Sequence, residues 1–238
     1  MEIFYDLHIH SCLSPCGDDD ATPAFIAGIA KVNGLDMAAL TDHNTCKNCP
    51  AFFAACKFYG VTPVAGMELT TAEDVHIVCL FDTLEKAMEF DRIVEERSAP
   101  IKNKPAIFGN QHIMNEEDEV IGEVENLLIA ATSITINEAV KIVSDLGGVA
   151  YPAHIDRDSN GIIAMLGDIP PDAGFTAAEM RDAEKFEEYK EKYPILSSLN
   201  IVSSSDAHGI AGVSGRVNFM EIDQNTAEAL IKILLTKK

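Results

Sequence analysis

Basic residues are scarce in this sequence: 18 lysines and arginines stand against 38 aspartates and glutamates, a formal charge of −20. A nonspecific nucleic-acid binder needs basic side chains to displace the counterions around the phosphates, so a long nucleic acid is not expected as a partner. A small phosphorylated substrate is not excluded, because bound divalent cations can reverse the field locally. Long apolar runs are missing as well, and the opening MEIFYDLHIH is too short and too polar for a secretory signal. No membrane partner is expected, and a cytoplasmic setting is, in which the six cysteines stay reduced. Repeats and low-complexity tracts are absent too, and nothing in the sequence sets an oligomeric state.

What is present suits one globular domain over residues 1–238, with 47% hydrophobic residues to build a core. Short apolar runs alternate with helical stretches. Strands are expected at 2–7, 37–40, 62–65, 75–81, 148–151, 200–203 and 217–222. Helices are expected from Pro23 to Gly34, from Pro50 to Gly60, and over 83–95, 135–146 and 226–235. Thr135 and Glu138 form a capping-box pair. This alternation predicts a parallel α/β architecture. Two stretches break it. Residues 97–130, with EEDEVIGEVE near their end, read as an inserted arm or lid, and residues 156–182 read as a long loop.

Ligand-type residues gather where the expected strands end. His8 and His10 share one face at the end of the first strand. His43 follows the second in ALTDHN, Glu68 the third in AGMELT, and His76 lies in the fourth. His154 follows GGVAYP, and Asp206 and His208 follow NIVSSS. Strand ends of a barrel or open parallel sheet converge on one rim, and six of the seven histidines fall there. One such histidine is an ordinary core residue. Six, with two carboxylates, exceed what a single ion can use and imply two or three.

These motifs, YDLHIHS, LTDHN, GMELT, AYPAHID and SSDAH, resemble the polymerase-and-histidinol-phosphatase (PHP) superfamily from Tyr5 to His208. The resemblance implies a distorted (β/α)7 barrel with a trinuclear metal site that hydrolyses phosphoesters. His8, His10, Glu68 and Asp206 would hold one ion; Glu68 would bridge to a second completed by His76 and His154. His43, His208 and a residue of the loop after His10 would hold the third. The implied ions are Zn, Fe or Mn. The loop departs from the family pattern: the position eight residues after His8 is Cys16 rather than histidine. Either Cys16 or one of Asp18, Asp19 and Asp20 could take the role. The oxygen preference of Mn and Fe favours an aspartate, with Asp19 central among them.

Further residues have assignable roles. Arg157 is expected to grip a phosphate, with Arg216 as a second candidate. Asp6 and Asp42 are expected to orient imidazoles. The Cys46–Cys49 pair, with Cys12 and Cys16, could converge on a separate zinc or iron–sulfur site, although buried small hydrophobes explain most of these thiols. His112 lies outside the pattern. The expected activity is hydrolysis of a small phosphomonoester such as histidinol phosphate or a nucleotide. The attacking group would be a hydroxide bridging two ions, with Glu68, Asp206, His208 and Arg157 as the catalytic set. The competing reading is a non-catalytic module that binds metal or a phosphorylated ligand.

Overall fold

The computed structural model describes residues 1–236. In chain order it contains β1 (Glu2–Asp6), α1 (Pro23–Val32), β2 (Met37–Leu40), α2 (Cys49–Tyr59), β3 (Thr62–Thr70), β4 (His76–Phe81) and α3 (Leu84–Arg97). Then follow α4 (Pro105–Phe108), β5 (His112–Met114), β6 (Val120–Glu123), α5 (Ile136–Asp145), β7 (Val149–Pro152), α6 (Ile162–Leu166) and β8 (Ala177–Glu179). The chain closes with α7 (Phe186–Lys192), β9 (Asn200–Val202), β10 (Phe219–Glu221) and α8 (Ala227–Leu235).

Helix starts follow their local chemistry. Thr22 caps α1 with Pro23 in the first turn. Thr135 and Glu138 form the reciprocal capping box of α5. Gly60 ends α2 in the left-handed conformation that glycine enters at little cost.

The main sheet has the order β10-β1-β2-β3-β4-β7, and β8 pairs in parallel with β9. Three links curl these sheets into a distorted seven-stranded barrel. The Ile155 N–H donates to the Glu179 carbonyl, Met180 N–H to Val202, and His10 N–H to Ala207. Two departures from the expected topology have local causes. Between β3 and β4 lies only a short turn, so the two strands form an antiparallel hairpin rather than a β–helix–β unit. β10 is an antiparallel edge strand beside β1. The stretch read as a long loop contains β8, whose three residues are too few to show a period of two.

Side chains alternate across the wall, as the pleat requires. Met37, Ala39, Val64, Val78, Leu80 and Tyr151 face a buried interior that Leu230, Ile231 and Leu234 of α8 close from below. Ala38, Leu40, Met67, Ile77, Cys79 and Phe81 face outward beneath Ile26, Phe52 and Phe90 of the surrounding helices. Glu68 and His76 continue the inward face of β3 and β4, so alternation alone aims both into the barrel mouth.

The β5–β6 hairpin lies outside the main sheet. It is tied to the loop after β1 by the His112 N–H to the Cys12 carbonyl, 3.1 Å, and by Asn110 to Asp19. The glutamates of its acidic run are exposed, and Asp118 is the carboxylate turned inward. Asp118 accepts from Thr22 and from the Ala24 N–H at 3.1 Å, placing a carboxylate at the positive end of α1. Gly109, at φ +101°, seats the arm, for a Cβ there would lie 2.0 Å from the Pro15 carbonyl oxygen. Gly109→Ala is expected to cost on the order of 2 kcal/mol or more in urea denaturation, with the hairpin amides losing exchange protection first.

No helix among the described residues is long and apolar enough to cross a membrane.

Candidate metal centre

Eight ligand-type side chains meet at one end of the barrel, and strand direction explains each. His8 and His10 leave β1, His43 follows β2, and Glu68 lies near the end of β3. His76 begins β4 rather than ending it, yet reaches the same rim because that strand runs backwards. His154 and Asp206 both adopt positive φ, 30° and 52°. For a histidine this is sparsely populated backbone, of the kind folds retain where a side chain must be aimed.

Glu68 is the hub. Its Oε1 lies 2.8 Å from His76 Nδ1, 3.0 Å from His154 Nε2 and 3.4 Å from His8 Nε2. Its Oε2 lies 3.0 Å from His43 Nδ1 and 3.2 Å from His10 Nε2. Asp206 Oδ1 stands 3.4 Å from His10 Nε2 and 3.6 Å from His8 Nε2. Glu68, His8, His10 and His154 are all buried.

The electrostatics follow from this crowding. Burial opposes the ionised form of Glu68, but His76, His8 and His43 overcome it and hold its carboxyl well below the usual range. Burial likewise pulls His8 down, and the Glu179 and Glu68 carboxylates more than reverse this. His43, buried among other imidazoles, is pushed well below its ordinary value, and His208 is lowered to about 4 by burial and His10.

These donors suit divalent cations. Glu68 Oε2, His43 Nδ1 and Asp206 Oδ1 are buried with no hydrogen-bond partner, although His43 Nδ1 and Glu68 Oε2 are only 3.0 Å apart. Buried polar atoms are rarely left orphaned, and atoms aimed at one point without hydrogen-bond geometry suit a shared ion. Three groups have donor atoms close enough for a common ion: His8, His10, Glu68 and Asp206; His43, Glu68 and His76; and His10, His43 and His208. The first is the expected set. In the second, His43 stands where His154 was expected, while His154 shares Glu68 Oε1 with His76; in the third, His10 replaces a loop residue.

The loop residues are placed otherwise. Cys16 is exposed and belongs to none of the groups, its thiol pushed up to about 12 by burial of the sulfur and by the Glu68 carboxylate. Asp19 is held by Asn110 at 2.8 Å. Asp18 binds the His208 carbonyl through its N–H at 2.8 Å, and its carboxylate covers Gly209. No cysteine enters any ligand group among the described residues. Cys46 instead donates to the Gly66 carbonyl inside the outer core. His112 pairs across the hairpin with Glu123 at 3.3 Å.

Arg157 reaches the rim, with Nη1 3.0 Å from Asp206 Oδ2. Arg216 does not. Its guanidinium stacks on Phe4, 3.7 Å from the ring centroid, at the far end of β1. Asp6 corrects its expected role too. It orients no imidazole, but accepts from the N–H groups of Ser205 and Ser214, both at 3.0 Å. Asp42 reaches His10 through Ser14.

Glu179 was not anticipated. It ends the unrecognised β8, is fully buried, and accepts from His8 Nδ1 at 2.9 Å and from the His154 N–H at 3.1 Å. A carboxylate behind a ligand imidazole fixes its tautomer and raises its basicity. Glu179→Gln is therefore expected to weaken metal binding by about ten- to a hundredfold in chelator competition, with the fold kept.

A family model described as the PHP domain matches residues 6–233. An uncharacterized protein of Methanocaldococcus jannaschii is 32% identical over 101 residues, 38% of this chain and 58% of that protein. The crystal structure of a lesion-specific endonuclease from Pyrococcus furiosus superposes with a TM-score of 0.67 at 21% identity, covering 99% of this chain and 56% of that one. Endonuclease Q in complex with a 27-mer duplex carrying an abasic lesion at the active site gives 0.65 at 21%, covering 100% and 58%. A candidate metal-dependent phosphoesterase from Bifidobacterium adolescentis gives 0.62 at 19%, covering 95% of both chains. The chain thus spans little more than half of the curated relative and of the two endonucleases.

The endonuclease structures overturn one expectation drawn from composition. A chain of this fold holds duplex DNA at its active site, so the net charge of −20 does not exclude a long nucleic acid. Net charge sums the whole surface, whereas a phosphate chain meets only the field at the site, which bound cations can reverse.

Proposed function

The chain belongs to the PHP family of metal-dependent hydrolases, and from that premise we propose that it hydrolyses phosphate esters at the Glu68-centred site. One observation carries the reading. A single buried carboxylate lies within 3.4 Å of five imidazoles, and its Oε2 has no hydrogen-bond partner. That arrangement has little structural value by itself and suits a ligand that bridges ions. Divalent cations held there supply Lewis acidity towards phosphoryl oxygens and an activated water; Zn, Fe and Mn all suit the mixed nitrogen and oxygen donors.

The chain's own residues do the rest. His8, His10, Glu68, Asp206, His43, His76, His154 and His208 hold the cations. His208 Nδ1 faces the Asp206 carbonyl at 2.9 Å, and since a carbonyl only accepts, Nδ1 carries the proton and Nε2 offers its lone pair. Arg157 spends one N–H on Asp206 and keeps the others for a phosphate. It borders an open groove in which Arg181 and Lys185 stand among Asp156, Asp158 and Asp182, so basic and acidic side chains balance there on an otherwise acidic chain. Asp156 in that groove is engaged by the N–H groups of Arg181 and Asp182, both at 2.9 Å.

The preferred substrate in this reading is a small phosphomonoester. A second reading, cleavage of a nucleic-acid phosphodiester, is favoured by the Endonuclease Q complex. Both are tested by loading the protein with Mn²⁺, Zn²⁺ or Fe²⁺ and assaying phosphomonoesters, a phosphodiester and an abasic duplex. Phosphate release from monoesters supports the first reading, and strand scission the second. Bound metal with no hydrolysis of any substrate would mark a binding module instead. Arg157→Ala is expected to raise KM about tenfold or more with a smaller change in kcat, because it removes a phosphate contact and leaves the ligand set intact.

A further inference from the structure

A chain of buried hydrogen bonds runs from the β5–β6 arm to His10. Asn48, at the start of α2, accepts from the Met114 N–H at 2.9 Å and donates to the His112 carbonyl at 3.1 Å. Its second Nδ2 hydrogen goes to Ser11 Oγ at 2.9 Å. Ser11 Oγ donates in turn to Asp42 Oδ2 at 2.7 Å, and Ser14 Oγ donates to Asp42 Oδ1 at 2.8 Å. Ser14 Oγ also meets His10 Nδ1 at 2.9 Å and accepts from the His43 N–H at 3.1 Å. Ser11, Ser14, Asn48 and His10 are completely buried, and Asp42 is nearly so.

Valence gives the chain a direction. A hydroxyl has one proton to donate and two lone pairs. Ser14 gives its proton to Asp42, so it must accept from both His43 N–H and His10 Nδ1. That places a hydrogen on His10 Nδ1 and leaves Nε2, the atom facing Glu68 and Asp206, as the nitrogen that takes either a second proton or an ion. Ser11 is saturated in the same way: it donates to Asp42 and accepts from Asn48 and from the Leu13 N–H at 3.2 Å. Asn48 uses both amide hydrogens and its oxygen, so neither amide rotation nor arm movement leaves the chain satisfied. Fully satisfied buried networks are stiff, and breaking one link exposes the others to the cost of unpaired polar groups.

We propose that Asn48, Ser11, Asp42 and Ser14 form a positioning chain through which the seated arm sets the tautomer and aim of His10. In this role the arm is a brace for the metal centre. The proposal rests on the reading of His10 as a metal ligand. By reciprocity, metal at His10 must then stabilise the arm as much as the seated arm stabilises the bound metal.

The test uses the full chain, with zinc as the probe. Chelator competition reads zinc affinity, and amide hydrogen exchange at residues 112–114 reads the arm, with circular dichroism confirming the fold. Ser14→Ala and Asn48→Ala are each expected to weaken zinc binding about ten- to a hundredfold and to remove the extra arm protection that zinc gives the wild type. Ser14→Thr, which keeps the hydroxyl, is expected to restore affinity to within about threefold of wild type. Asn110→Ala cuts the arm's bond to Asp19 without touching the chain, and is expected to leave zinc affinity unchanged. Wild-type affinity in a folded Ser14→Ala or Asn48→Ala protein would overturn the proposal. So would an Asn110→Ala effect as large as that of Asn48→Ala, which would mean that the arm acts by bulk packing. Failure of the wild type to bind zinc would sink the metal reading itself. The chain is then decided in the metal-free protein: faster Met114 exchange in Ser14→Ala upholds it, and unchanged exchange ends it.

Discussion

Glu68→Gln is expected to leave a folded barrel that binds fewer ions and hydrolyses phosphate esters on the order of a thousandfold more slowly, or worse. Glutamine keeps the shape and one carbonyl oxygen but loses the negative charge and one of two acceptor atoms. At this position both are needed. The two carboxylate oxygens divide five imidazoles between them, His76, His154 and His8 on one and His43 and His10 on the other. An amide would turn an N–H towards one of those sets, where cations are expected. Glu68 also belongs to two of the three ligand groups, so its loss should disturb more than one ion. Metal content by plasma emission and turnover of a phosphomonoester should fall together. Full metal content with wild-type turnover would show that the cluster is not the reaction site.

Much of this site could be read in the sequence because polar ligand types at the ends of apolar strands are conspicuous. HIH, TDHN, MEL, AYPAH and SSDAH each follow a run that has to be buried, and the rim of a barrel gathers such ends. What escaped had weaker local signals. Glu179 sits in a three-residue strand, AAE, in which alanine gives no β-propensity and no alternation. His76 was placed at the correct rim although the strand direction differs, because the short turn after β3 returns the chain to the point it left. Arg216 lies directly before one strand-like run and Arg157 shortly after another. Only the fold shows that one stacks on Phe4 at the base of β1 while the other bonds to Asp206. Asp6 and Asp42 each lie beside a ligand histidine, but one binds backbone and the other a serine relay, a distinction that spacing does not carry.

Removing bound metal should lower the melting temperature by roughly 10 °C for each site held at a thousand times its Kd, since such binding contributes about 4 kcal/mol. The size of that drop should itself depend on pH. In the metal-free protein His8 and His10 are raised above their ordinary 6.5, His8 strongly, so both favour the protonated form in the folded state. Their contribution to stability is fully present below the unfolded value and is lost as pH rises through the folded one. Glu68 and Asp206 are lowered, so their contribution is present above the unfolded carboxylate values and is lost as pH falls through the folded ones. His43 and His208 are lowered as well, so stability declines further as pH falls from 6.5 towards the value of about 4 held by His208. The metal-free protein should therefore be most stable slightly below neutrality and should weaken above it. Metal affinity moves the other way. An ion held by His8 or His10 must take a lone pair that a proton occupies there, so its binding releases protons and tightens as pH rises. The gap in melting temperature between metal-loaded and EDTA-treated protein should accordingly widen from pH 6 to pH 8. Scanning fluorimetry at fixed free metal measures it directly, and proton release on titration in two buffers of different ionisation enthalpy checks the cause. A gap that narrows over that range would mean that the protonated imidazoles are not those that bind the ions.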